Sequence, residues 1–277
     1  MASTLPLILH VFDKHYDVGK ELFEDLSKKI KSKKSIALED EFFFISVYIQ
    51  LLERAHFNKK QVIGQIFTPF KELHKNLRKV KHIRFIQDGF IKYMEANRQF
   101  YSDYEKLIAS DKNRLYTSVY ELILSIPLQH WENLYRNIWK NSKGMSILSI
   151  NTAINQIINE EIEFFYFDTK ARLDPQTISD TYKGLKKVTV LEKMRLSIGL
   201  NSIFTHEVHQ QIDVLSTDME DWHKNQLLLQ HLGNHLGKKE EISKKYRSVL
   251  VLLQKNHKEL TKNIESRCQH LFTKMLH

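Results

Sequence analysis

Apolar residues recur every three to four positions through most of this chain, the pattern of helices that bury one face. The period is clearest near the C-terminus. Ile242, Tyr246, Val249, Leu253, Leu260, Ile264 and Leu271 fall on one stripe, and no Gly or Pro interrupts residues 238–277. A helix of about 37 residues, roughly 55 Å long, is predicted there. A second long helix starts after Thr205, a suitable N-cap, with Val208, Ile212, Leu215, Met219 and Trp222 as its stripe. Gly233 and Gly237 are expected to end it and open the turn into the last helix. Two long helices joined by a short turn pack antiparallel.

In the first half, Leu73, Leu77, Val80, Ile83, Phe90, Ile91 and Met94 form a core face. It follows Thr68-Pro69, a good helix start because proline at the first helical position loses no backbone bond. Further helices are predicted at 16–33, 37–55, 100–125, 128–142, 149–168 and 176–198. Their punctuation is Asn58, Pro127, Gly144 and Asp174-Pro175. The best strand candidate, Phe42-Phe43-Phe44-Ile45, reads as buried helix. The expected fold class is therefore all-α. A quiet stretch from Asn141 to Ser149 divides it into two helical bundles, 1–143 and 144–277.

Composition narrows this further. Eight Gly and four Pro in 277 residues are too few for the many turns of sandwiches and propellers. The one cysteine, Cys268, excludes an internal disulfide and reads as a small buried hydrophobe. Trp131, Trp139 and Trp222 read as core aromatics. The longest apolar run, Phe42 to Leu52, falls well short of the ~20 residues of a membrane helix, so no membrane partner is expected. The N-terminal residues lack the pattern of an export signal, and a reducing cytoplasm is the expected setting.

The formal net charge is +9, and the excess is local. Residues 59–84 hold eight basic side chains and one acid, Glu72. On a helix starting at Pro69, Lys71, Lys75, Arg78 and His82 share one side, opposite Leu77 and Val80, and Lys79, Lys81 and Arg84 widen the patch. Lys28, Lys29, Lys31, Lys33 and Lys34 form a second group. Cations one helical turn apart can follow the repeat of a phosphate chain, with strong salt dependence. Lysines suit point-charge attraction better than bidentate reading, so sequence-specific nucleic acid is not an expected partner. A plain solvated face accounts for the same pattern.

Two other constellations bear on chemistry. His206, His209, Asp213 and Glu220 share the polar side of the Thr205 helix, but the i, i+3 histidine spacing is not the H-E-x-x-H of metalloproteases. Glu-x-x-His occurs at Glu53/His56 and at Glu220/His223, which in a helical bundle raises a metal-carboxylate enzyme as one alternative. Neither pattern requires a cofactor or metal, and no nucleophile elbow is present.

From His206 onward the chain is similar to the conserved-histidine α-helical domain, or CHAD, family. At the positions of the family pattern H-x-x-R-x-x-x-K-x-x-R-Y-x-x-E this chain has His206, His209, Asp213, Ser216, Thr217 and Glu220, of which the histidine His206 and the glutamate Glu220 match. The family's L-Q-x-L-L-G resembles Leu229-Gln230-His231-Leu232-Gly233. Its G-K-hydrophobic-R-D-hydrophobic resembles Arg78-Lys79-Val80-Lys81-His82-Ile83. The resemblance implies two four-helix bundles related by a pseudo-twofold axis. It also implies a non-enzymatic module that binds inorganic polyphosphate, or another phosphate-rich polyanion, through basic residues. Here those would be Lys71, Lys75, Arg78, Lys79, Lys81 and His82, helped by Lys28, Lys29 and Lys31. The arginine and lysine positions after His206 are not basic in this chain. A scaffold that has kept its helices, lost the anion and binds a protein partner is the alternative.

Overall fold

The computed structural model describes residues 7–56, 63–97, 101–168, 173–237 and 241–275. Among them are nine α-helices and no strand. These are α1 (Leu7–Lys28), α2 (Lys34–Ala55), α3 (Lys71–Asn97), α4 (Ser102–Ser125), α5 (Gln129–Ser142), α6 (Ile147–Asp168), α7 (Pro175–Ser197), α8 (His206–Leu236) and α9 (Lys244–His270). A 3-10 turn, Thr68–Phe70, leads into α3, and a π-helical turn, Leu271–Met275, follows α9. The protein is all-α. The punctuation expected at Asn58, with Lys59 and Lys60 of the basic stretch, lies outside the described residues.

Local chemistry sets the helix ends. Thr205 is extended and accepts a hydrogen bond from the Val208 N–H at 3.3 Å. Asp174 accepts from the Thr177 N–H at 2.7 Å, with Pro175 first in the helix. Two turns are built on glycine at positive φ, Gly144 (85°) after α5 and Gly199 (82°) after α7, where an L side chain would be strained. Beyond Gly199, buried Glu192 of α7 accepts from the Ser202 hydroxyl at 2.7 Å and the Ile203 N–H at 3.2 Å, which shapes the approach to α8.

Several expectations need correction. α1 begins at Leu7 rather than near residue 16, because Ile8, Leu9 and Phe12 extend its buried stripe. Gly233 does not end α8, which runs to Leu236 with Leu232 and Leu236 buried on either side of it. A helical glycine costs only about 1 kcal/mol relative to alanine. Ile91 is 37% exposed, although the rest of its stripe is buried. Trp139 is half-buried, unlike Trp131 and Trp222.

The described chain forms two compact units. The first comprises Met1–Lys81, Arg114–Glu161 and Lys187–Ile203; the second comprises His82–Asn113, Ile162–Lys186 and Phe204–His277. The division expected at 143/144 falls inside the first unit, and each unit draws on three segments, since α3, α4, α6 and α7 each give one stretch to each unit. In the first unit α1, α2 and α5 pack together around Trp131. Phe70 (5.0 Å), Phe23 (5.6 Å), Tyr16 (5.7 Å) and Phe42 (5.8 Å) surround the indole. Gly19 lies beneath it, where a Cβ would come within 3.3 Å of the indole edge. In the second unit α8 and α9 run antiparallel. The order is fixed by Asp218 with Arg267, Trp222 Nε1–H to Thr261 Oγ1 (2.9 Å) and Asn225 Nδ2–H to the Leu253 carbonyl (3.1 Å). The Val208–Trp222 stripe, Ile264, Cys268 and Phe272 form the core there.

Candidate functional site: a lysine face and a buried carboxylate on α3

The amphipathic pattern of the first turns of α3 places Leu73, Leu77 and Val80 in the core and Lys71, Lys75, Arg78 and Lys79 at the surface. α2 crosses this segment in the opposite sense. Phe42 meets Phe70 and His74, and three residues earlier Glu39 meets His74, Arg78 and Lys81.

Glu39 is the centre of this arrangement. It is 4% exposed, so its charge needs compensation. Lys81 Nζ donates to Glu39 Oε2 at 2.7 Å and to Asp40 Oδ1 at 2.7 Å. Arg78 Nε stands 3.8 Å and His74 Nε2 3.5 Å from Glu39 Oε1. The three cationic or potentially cationic residues, 74, 78 and 81, recur at helical spacing on one side of α3. Burial works against the Lys81 ammonium, but Glu39 and Asp40 outweigh it and hold its pKa above the ordinary lysine value.

The remaining basic residues sit differently. Lys71, Lys75 and Lys79 are exposed. Lys75 is 3.7 Å from Glu72, and Lys79 donates to Asn76 Oδ1 at 3.3 Å, while Asn76 itself donates to Glu72. Lys28, Lys29 and Lys31 are exposed around the α1–α2 turn, which Lys34 ties back to Asp25. That turn precedes the start of α2. The reversed order of α2 along α3 therefore puts it beyond the Lys81 end of the overlap, away from Lys71. His82 departs from the expected stripe: it belongs to the second unit and its ring faces His223.

The motif residues on α8 take separate roles. His206 is exposed beside Gln210, His209 packs edge-on to Phe204 at 5.6 Å, and Glu220 holds Lys224 at 2.7 Å. Glu53 and His56 fall in the first unit, Glu220 and His223 in the second. His56 Nε2 is hydrogen-bonded to the Asn141 carbonyl at 2.7 Å. Among the described residues no three His, Cys, Asp or Glu side chains gather as a metal site.

A second feature of the first unit is marked by no motif in the sequence. A cleft of about 610 Å³ opens between α1 and α5, lined by Asp13, Tyr16, Asp17, Glu132, Tyr135, Arg136 and Trp139. Burial raises the Asp13 carboxyl above its usual range, against a hydrogen bond with Tyr135. Burial and then the neighbouring carboxylates push the Tyr16 phenol up to about 12. Three acids and three aromatic rings in one cleft stand out in a chain of net charge +9. The available sign was Asp13 and Asp17 on one side of α1, flanking Tyr16.

Comparison with known protein families, with curated proteins and with solved structures finds no match for this chain.

Proposed function

We propose that the chain is a non-enzymatic helical module that binds a polyanion, inorganic polyphosphate above all, in the cytoplasm. The observation that carries the reading is the division among the cations of α3. Arg78 and Lys81 neutralise buried Glu39, whereas Lys71, Lys75 and Lys79 stand exposed one turn apart, with surface Glu72 beside Lys75 and neutral Asn76 beside Lys79. Binding is Coulombic and requires no reaction. The resemblance of Arg78 to Ile83 and of the His206 segment to the CHAD family supports the same ligand. Lys28, Lys29 and Lys31 add to the field of the first unit.

Filter binding of long-chain polyphosphate across a salt series tests it. Lys71→Ala/Lys75→Ala/Lys79→Ala should lower the slope of log affinity against log salt by about two to three and leave thermal stability unchanged. Equal slopes for parent and variant, or no binding by the parent at physiological salt, would end the proposal. The acidic aromatic cleft favours a second reading, a scaffold that docks a cationic protein segment. Its mark is binding of a lysine-rich peptide that Asp17→Asn with Glu132→Gln abolishes.

A further inference from the structure

In the second unit, α3 and α8 lie side by side in the same direction. Lys224 covers the Phe85 ring at 5.3 Å, and Gly89 lies against Leu228. At the start of this contact His82 and His223, both half-buried, turn their Nε2 atoms towards each other at 3.4 Å. Their ring centroids are 5.1 Å apart and their planes meet at 71°. Imidazole nitrogens bind zinc at about 2.0–2.1 Å, and a tetrahedral angle then separates two of them by about 3.4 Å. The centroids, roughly 1.1 Å further back along each axis, stand about 5.2 Å apart in that arrangement. A straight N–H···N hydrogen bond of the same length would hold the centroids at about 5.7 Å. The two nitrogens are within hydrogen-bonding distance of each other, and both separations also match two imidazoles on one cation, which would take the place of the shared proton.

We infer that His82 and His223 form a two-histidine site for a late first-row divalent cation, with water in the other positions. Imidazole favours zinc, copper and nickel over magnesium and calcium. The nearby ammonium of Lys224 opposes a cation little, because Glu220 (2.7 Å) and Asp221 (3.3 Å) balance it. The two rings come from different helices, so an occupied site would cross-link α3 to α8. The inference is independent of the lysine face, which belongs to the first unit.

Calorimetric titration of the full chain with zinc alone tests it, beside His82→Ala, His223→Ala, the double variant, and His209→Ala as a control for background from the 14 histidines. The expected result is one zinc site that either single variant weakens about tenfold or more, that the double variant weakens no further, and that His209→Ala leaves unchanged. An isotherm unchanged in both single variants, with helicity retained, overturns the site. Should an alanine variant fail to fold, the parent decides by imidazole nitrogen NMR. Joint displacement of the His82 and His223 Nε2 resonances on adding zinc supports the site, and its absence overturns it.

Discussion

Glu39→Gln removes one buried charge and preserves the side-chain shape. In the parent, Glu39 is 4% exposed and the Lys81 side chain 15%. The variant leaves Lys81 with Asp40 alone, whose side chain is 54% exposed, and takes from His74 and Arg78 the carboxylate they share. Breaking a buried pair from one side costs about 3–5 kcal/mol. Retention of Asp40, and the half-exposed guanidinium of Arg78, reduce this to about 2–3 kcal/mol. In a chain of this size each kcal/mol lowers Tm by about 2–4 °C, so thermal unfolding followed by circular dichroism should shift down by about 5–10 °C. Because the Lys81 pKa is raised in the fold above 10.5, the difference from the parent is complete below pH 10.5. It closes as pH rises through the higher folded value. Glu39→Leu with Lys81→Met removes both charges and should cost less than the two single changes added together. A Glu39→Gln protein that melts within 1 °C of the parent, or strictly additive single changes, refutes this account of Glu39.

His257 should make stability fall in acid. Burial lowers its pKa below 6.5, so the unfolded chain takes up a proton near pH 6.5 and the folded chain only at lower pH. Its effect is nil above pH 6.5 and destabilising below it. His257→Gln should flatten the decline of Tm between pH 6.5 and 5, and an identical slope would show that other groups control it. On α3, Lys75→Ala should weaken polyphosphate retention without moving Tm, whereas Lys81→Ala should lower Tm. If both variants lost binding and stability together, the separation between surface and buried cations would fail.

Much of the helical plan was legible because periodicity is local. Val208, Ile212, Leu215, Met219 and Trp222 share a stripe at 3.6 residues per turn, and all five are buried. Thr205 and Asp174-Pro175 were readable as helix starts because an N-cap acts within three residues. Gly233 misled because composition alone shows that a helix is weakened, not whether neighbouring leucines hold it in place. Trp139 misled because residue type gives hydrophobic area but not what covers it.

By itself, then, the sequence determined the all-α class, most helix spans and the apolar faces of the helices after Pro69 and Thr205 and of the last one. Only the tertiary structure decided which face meets which. Glu39 reaches Lys81 across 42 positions and His82 reaches His223 across 141, and no local period encodes such distances. It also decided that Arg78 and Lys81 answer a buried carboxylate while Lys71, Lys75 and Lys79 stay in water. A charge pattern on one helix is silent about the charges on the helix packed against it.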